Sequence, residues 1–138
     1  MAGYSGTPLA KKLGIKSGSR VFLSKAPKNY TTLVAPLPDG VRMAARIGAT
    51  TDIVHLFVTS RNDLERTLRA TLTKLRDDAS IWVSWPKKSS GVPTDVTEDT
   101  IRAVALPMGL VDVKVCAVDD VWSGLKLVVR KEHRKNDR

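Results

Sequence analysis

The chain has 138 residues, a length that fits one domain with a single hydrophobic core. Its composition, 42% hydrophobic and 27% charged, is that of a globular protein, and no apolar run approaches the roughly 18 residues of a membrane span. We therefore expect no segment that crosses a bilayer and no membrane partner. Because a secretory signal is lacking and Cys116 is the only cysteine, we expect a cytoplasmic protein without an internal disulfide.

The charge is strongly and unevenly positive. The formal net charge is +9, and such a balance favours an anionic partner: nucleic acid, a phosphorylated metabolite or acidic lipid. Residues 1–28 contain basic side chains and no acid, and the C-terminal residues are rich in Lys and Arg. Alternatively, both segments are simply solvated and keep the protein soluble. We predict one α/β domain over residues 1–130 and a flexible basic tail over residues 131–138.

The first third of the chain predicts short elements. Residues 7–14 have a cap residue, then Pro8 at the first helical position and a closing glycine, which indicates a short helix. Residues 21–23 form the first strand. Residues 30–35 are predicted to be a strand or an irregular segment, because three prolines in residues 26–40 argue against a long helix there. A regular α/β domain places its first crossover helix at this point, so the architecture is reduced. A weak strand is predicted for residues 41–45.

The remaining elements follow from hydrophobic periodicity. They are a buried central strand at 52–58, a leucine-rich amphipathic helix at 61–76, a strand at 81–85, a helix from about Thr97 to Pro107, and alternating strands at 111–117 and 125–129. Strands separated by helices imply right-handed crossovers and a parallel sheet, whereas the last two strands form an antiparallel hairpin. The predicted fold is a reduced Rossmann-like three-layer α/β domain with a mostly parallel sheet and a C-terminal antiparallel hairpin.

This order of elements resembles the second half of the methyltransferases that use S-adenosylmethionine. Residues 13–21 are similarly like their approach to the first strand. The resemblance implies a glycine-rich turn after the first strand, which admits the cofactor, and an acidic residue at the end of the second strand, which holds the ribose. Here residues 24–29 contain no glycine, and Arg46 stands at the acidic position. Both departures predict that no adenosyl cofactor binds.

A closer resemblance covers most of the chain. Residues 1–21, 82–92, 94–98, 109–117 and 122–125 are similar to a family of small bacterial proteins described only as a domain of unknown function. That family implies no activity.

The predicted site lies at the carboxyl ends of the strands, where open α/β sheets bind their ligands. If the order of strands is that of the methyltransferases, the first, third and fourth strands end side by side. The side chains brought to this edge are Lys25, Lys28, Ser60, Arg61, Trp85, Lys87 and Lys88. Together with the first amides of the following helix, they suit a phosphate. Alternatively, the lysines are merely exposed. Residues 87–91 also have the composition of a flexible lid.

Other polar residues are predicted to have structural roles. Asp95 and Glu98 should organise the start of the helix that follows them, although Asp95 is also a candidate base. His55 lies in the most apolar strand and is expected to be a hydrogen-bonded core residue, and Cys116 a buried inert thiol. Trp122 is a candidate for stacking on a partner, or for the core. No spacing of residues predicts a metal site or a catalytic triad.

These observations lead to three hypotheses. The first is a noncatalytic module that binds an anionic ligand or a protein partner at the strand ends. The second is an enzyme, either a divergent methyltransferase or another nucleotide-using transferase. The third is a nonspecific nucleic-acid binder, which depends on the net charge alone.

Overall fold

The computed structural model describes residues 7–133 and contains six strands in one sheet. In chain order the elements are α1 (Leu9–Leu13), β1 (Arg20–Ser24), α2 (Tyr30–Leu33), β2 (Arg42–Ala44), β3 (Ile53–Phe57), α3 (Arg61–Leu72), β4 (Ser80–Pro86), α4 (Glu98–Ala105), β5 (Leu110–Ala117) and β6 (Trp122–Val129). Three 3-10 turns follow β4, α4 and β6, at Lys88–Ser90, Leu106–Met108 and Lys131–His133. The rest of the predicted basic tail lies outside the described residues.

The sheet has the order β2-β1-β3-β4-β6-β5. The first four strands in this order are parallel, and β6 is antiparallel to both β4 and β5. The chain reverses its direction of travel across the sheet between β1 and β3, so the ends of these two strands form the switch point of the fold. The predicted mostly parallel sheet and the C-terminal antiparallel hairpin are confirmed.

One face of the sheet packs against α3 and α4. Leu64 and Leu68 of α3 and Ile101 of α4 are buried against alternate residues of β3, β4 and β6. The predicted amphipathic helix is therefore present, but α3 ends at Leu72 rather than at residue 76. Leu75 still packs into this core from the turn that follows. The apolar spacing identified the buried residues correctly and overestimated the length of the helix.

The opposite face is covered by the two short helices α1 and α2. Trp82 of β4 is fully buried there, and its indole nitrogen donates to the carbonyl of Leu13, 3.0 Å away. The prediction for residues 30–35 was wrong, because this segment forms a single helical turn, α2, rather than a strand or an irregular segment. Pro8 also differs from the prediction: it caps α1 instead of occupying its first turn.

Strand β5 is at one edge of the sheet and is irregular. Its register against β6 shifts between Asp112 and Lys114, which marks a bulge at Val113. Val113 and Val115 are exposed. No helix within residues 7–133 is long and apolar enough to cross a membrane.

Candidate functional site

The turn after β1 is built around a lysine. Lys25 adopts a left-handed backbone conformation with φ of 57°, which side chains other than glycine rarely adopt. Its ammonium is 3.1 Å from the carboxylate of Asp63 in the first turn of α3. Asp63 also pairs with Arg66 one turn further along. The end of β1 and the start of α3 are thus joined by a side-chain contact at the switch point.

The start of α3 is capped twice by the chain itself. The Ser60 hydroxyl accepts a hydrogen bond from the Asp63 amide at 3.1 Å, and the Asp95 carboxylate accepts one from the Arg61 amide at 2.8 Å. The loop that carries Asp95 is held in place because the Thr94 hydroxyl donates to the carbonyl of Thr59, 2.7 Å away. A carboxylate of the protein therefore occupies the position where the amides of a helix attract an anion.

The expected role of Asp95 was accordingly wrong. Asp95 caps the preceding helix α3, not the helix that follows it. The N-cap of α4 is Thr97, which exchanges hydrogen bonds with Thr100 in a capping box. Glu98 lies in the first turn of α4, as expected, and pairs there with Arg102.

The end of β4 turns towards the β5–β6 hairpin. The Lys87 ammonium donates to the carbonyl of Asp119 at 2.7 Å, and the Lys87 amide donates to the carbonyl of Val121 at the same distance. Trp85 is only 8% exposed and belongs to the core under α3 and α4. The segment predicted to be a lid, residues 87–91, begins with ordered structure. Lys87 is fixed by its two hydrogen bonds to the hairpin, and Lys88–Ser90 forms a 3-10 turn.

The predicted site residues fall into three groups. The first group, Lys25, Ser60 and Arg61, meets at the start of α3. Lys25 pairs with the Asp63 carboxylate, the Ser60 hydroxyl accepts from the Asp63 amide, and the Arg61 amide donates to the Asp95 carboxylate. Trp85 and Lys87 pack into the core and onto the hairpin, as described above. Lys28 and Lys88 are exposed and form no ion pair with any residue in 7–133.

A buried chain of hydrogen bonds crosses the α1/α2 side of the sheet. The Tyr30 hydroxyl is 2.9 Å from His55 Nδ1, and the Ser84 hydroxyl is 2.7 Å from His55 Nε2. The His55 ring stacks on Phe57 with a centroid distance of 4.4 Å. Burial lowers the pKa of His55 to about 3 and raises the pKa of Tyr30 above its usual value. The imidazole is therefore neutral at physiological pH and is shielded from solvent.

The expectation that His55 is a hydrogen-bonded core residue is confirmed. Sequence reasoning missed its two partners. The signal for Ser84 was its hydroxyl within the apolar strand β4, two residues from Trp82 and hence on the same face. Tyr30 gave no comparable signal, because the contact depends on how α2 lies across β3.

The remaining candidates have structural surroundings. Trp122 is half-buried and packs edge-on against Phe57 at 5.0 Å, which favours the core over a partner contact. Cys116 is half-buried in the same cluster, and burial raises its thiol pKa, so it has little thiolate character. Within residues 7–133 no three acidic, histidine or cysteine residues are grouped to hold a metal ion.

Residues 45–131 match the family described as Protein of unknown function (DUF3052). The chain belongs to this family. No curated protein matches it in sequence. The predicted resemblance to a domain of unknown function is confirmed.

Solved structures share the fold at low identity. A SAM dependent methyltransferase from Aquifex aeolicus matches 88% of this DUF3052 chain over 88% of its own length, with a TM-score of 0.59 and 12% identity. Aeropyrum pernix fibrillarin, with natively bound S-adenosyl-L-methionine, matches 83% over 68% of its own length, with a TM-score of 0.51 and 14% identity. A protein of the NADB-Rossmann superfamily from Streptococcus agalactiae matches 92% over 70%, with a TM-score of 0.54 and 11% identity.

The predicted methyltransferase-like fold is thus confirmed. The order of elements in the sequence resembled the second half of that fold, whereas the structural match covers 88% of this chain and 88% of the Aquifex aeolicus methyltransferase. The residues present do not fit an adenosyl cofactor. An adenosyl cofactor needs a glycine-rich turn after the first strand. In this chain that turn contains Lys25, which has a left-handed backbone conformation and carries a long side chain. Where the ribose needs a carboxylate near the end of β2, the second residue after that strand is the exposed Arg46. The amides at the start of α3 already hold Asp95.

Proposed function

We propose that this protein is a noncatalytic Rossmann-like module that binds an anionic ligand or an acidic protein partner at the carboxyl ends of β1, β3 and β4. The observation that carries the proposal is the turn after β1, where the ammonium of Lys25 and its partner Asp63 replace a glycine-rich cofactor turn. The fold has the switch point at which related folds bind a ligand. At that point a glycine-rich turn presents backbone amides to a cofactor, whereas this chain presents the cationic side chain of Lys25.

The lysines of this edge are available to a ligand. The Lys25 side chain is 65% exposed, and an ion pair with that exposure contributes at most about 1 kcal/mol, so an incoming anion can displace Asp63. Lys28 and Lys88 supply two further cations that no carboxylate in residues 7–133 neutralises. Ser60 and Trp85 support the edge from within, as helix cap and core residue. Arg61 and Lys87 flank it, and both have partners in the chain.

A divergent methyltransferase is the second candidate. It is favoured by the structural likeness to a SAM dependent methyltransferase, whose chain and this one match over 88% of each. An enzyme of that kind would need the turn at Lys25 to rearrange, because the side chain and its ion pair occupy the approach to the backbone. The two candidates therefore differ in whether S-adenosylmethionine stabilises the folded protein.

Thermal unfolding separates the candidates. S-adenosylmethionine, S-adenosylhomocysteine, ATP, GTP and an acidic peptide are each added, and a ligand at about 100 times its Kd raises the free energy of unfolding by roughly 2.7 kcal/mol. We expect no shift with the two adenosyl compounds. A saturable shift with either of them would overturn the noncatalytic proposal and favour the enzyme.

Variants then test the location of the site. Lys28→Ala/Lys88→Ala should abolish the stabilisation given by whichever anionic probe binds, whereas the control Lys11→Ala/Lys74→Ala removes two exposed positive charges elsewhere and should retain it. Equal affinity in both doubles would reject the strand ends. A steep, linear fall of log K with log salt for unrelated DNA and RNA would instead support the nucleic-acid hypothesis.

A further inference from the structure

A group of lysines lies on the antiparallel half of the sheet, on the side that α1 covers. Lys126 of β6 is directly opposite Lys114 of β5, so both side chains project from the same face. The other cross-strand neighbour of Lys126 is Trp82, which is anchored to the end of α1. Lys16, just beyond α1, is close enough to Lys126 to interact with it electrostatically. We call Lys16, Lys114 and Lys126 the lysine cluster.

The lysine cluster has an aromatic contact, with the Lys114 ammonium 6.0 Å from the centroid of the Trp82 ring, but no carboxylate partner among the described residues. Its members form no ion pair with any carboxylate in residues 7–133. Asp112, the acid nearest in sequence on β5, faces the other side of the sheet and pairs with Arg102 of α4 at 3.0 Å. Burial is the largest cause that lowers the pKa of Lys126, and the ammonium groups of Lys114 and Lys16 lower it further. Like charges placed opposite each other on neighbouring strands are destabilising, and a bound anion would relieve this repulsion.

The bulge in β5 creates this arrangement. Ahead of the bulge Asp112 pairs with Leu127, and beyond it Lys114 pairs with Lys126. In a regular ladder continued from Asp112, Val113 would be opposite Lys126 and Lys114 would be opposite Leu125, whose side chain lies in the core under α3 and α4. The bulge thus moves a lysine from the apolar side of the sheet to the side of Lys126. Bulges commonly re-aim a side chain near a binding site.

A cleft of about 450 Å³ adjoins the cluster. Lys16 and Lys126 line one part of it, and Arg76 lines another part, where Asp52 and Asp78 neutralise its guanidinium. The volume is within the range of small-molecule sites, roughly 300–1,000 Å³. Such a cleft has room for the organic portion of a ligand beside its charged group. Because Asp52 and Asp78 neutralise Arg76, the positive end of the cleft is the one lined by Lys16 and Lys126, and we expect the anionic group of a ligand at that end.

We propose that the lysine cluster and this cleft bind a small metabolite that carries a phosphomonoester dianion. Lysine ammonium groups bind phosphate as point charges. Lys16 and Lys126 line the cationic end of the cleft, and Lys114 is opposite Lys126 on the neighbouring strand. The cleft includes residues at the amino ends of β3 and β4, Ile53 and Ser80, on the opposite edge of the sheet from the strand ends discussed above. The site is therefore separate from the proposed function and stands or fails independently.

Calorimetric titration with ribose 5-phosphate, inorganic phosphate and ribose tests the proposal. We expect ribose 5-phosphate to bind and ribose not to bind. Lys114→Gln/Lys126→Gln should weaken ribose 5-phosphate at least tenfold. The charge-matched control Arg69→Gln/Lys74→Gln, at two exposed positions on and just after α3, should bind it within twofold of the natural sequence. Because the cluster variant relieves repulsion, its Tm without ligand should be no lower than that of the natural sequence.

Several results would overturn the proposal. Equal weakening in both doubles would mean a response to net charge alone, and full binding by the cluster variant would reject these lysines. Absence of binding by the natural sequence at millimolar concentrations would reject the ligand class. Should the cluster variant fail to fold, backbone NMR of the natural protein decides: ribose 5-phosphate should shift the amides of Lys114 and Lys126, and shifts confined to Lys28 and Lys88 would assign the ligand to the strand ends instead.

Discussion

Replacing His55 with glutamine should flatten the dependence of stability on pH between 7 and 5. The imidazole is fully buried between Tyr30 and Ser84, and its pKa in the folded protein is lowered from 6.5 to about 3. Above pH 6.5 the folded and unfolded chains both carry a neutral imidazole. Below that value the unfolded chain binds a proton that the folded protein does not bind until about pH 3, so acid favours unfolding.

The magnitude follows from these two pKa values. In the window between them, one proton separates the two states, and the free energy of unfolding falls by about 1.4 kcal/mol per pH unit. Between pH 7 and pH 5 the loss due to His55 is about 2 kcal/mol. The pKa values of Asp52 and Asp112 are lowered from 3.8, so the stability they confer is lost only at more acidic pH. The pH dependence due to Asp52 and Asp112 therefore lies below the range from pH 7 to pH 5 and does not add to the loss due to His55.

Urea unfolding at pH 7, 6 and 5 measures the effect. The natural sequence should lose about 2 kcal/mol more than His55→Gln over this range, whatever the absolute stability of the variant. If the variant does not fold, long-range ¹H–¹⁵N spectra of the natural protein give the answer directly, since the ring nitrogens of His55 should keep their neutral pattern at pH 5. An imidazole that titrates near pH 6.5 in the folded state, or equal slopes for the two proteins, would refute the reasoning.

Two further substitutions test the packing and the backbone. A Cβ at Gly124 would approach the Ser84 hydroxyl and the Trp82 ring to 3.2 Å, so Gly124→Ala should lower stability by about 1–3 kcal/mol, while Gly48→Ala, with open space around it, should change it little; equal chemical denaturation midpoints for the two variants would contradict this. At Lys25, alanine and glycine both remove the ion pair, but only glycine relieves the left-handed backbone, so Lys25→Gly should be more stable than Lys25→Ala by about 1 kcal/mol. Thermal melts in which the alanine variant is at least as stable would show that the turn is unstrained.

Much of the fold was predictable because its signals are local. The apolar run of β3 and the leucine spacing of α3 depend only on neighbouring residues. The alternation of side chains along β4 likewise places Trp82 and Trp85 in the cores on opposite faces of the sheet. The helical turn α2 was missed because Tyr30 is fixed by His55, which is 25 residues away in sequence. The residues around Tyr30 in the sequence give no indication of that contact.

The polar contacts at the strand ends were harder to predict for the same reason. Asp95 caps α3 only because its loop crosses Thr59, and Lys87 is bound only because the β5–β6 hairpin lies beside it. The lysine cluster gave no sequence signal, since the pairing of Lys114 with Lys126 depends on a bulge that shifts the register by one residue. Residue types indicated which groups are charged, and the long-range pairings decided which of them meet.

The position of β6 has a consequence for how the protein is made. It lies between β4 and β5 although it follows both of them in the chain. During synthesis β4 therefore has an open side, and β5 has no strand to pair with, until residues 122–129 have left the ribosome. Because the non-local pairs of β4 with β6 complete the sheet, final assembly must be a late event. Val113 and Val115 of β5, which stay exposed in the folded protein, therefore have no partner strand beside them during that interval.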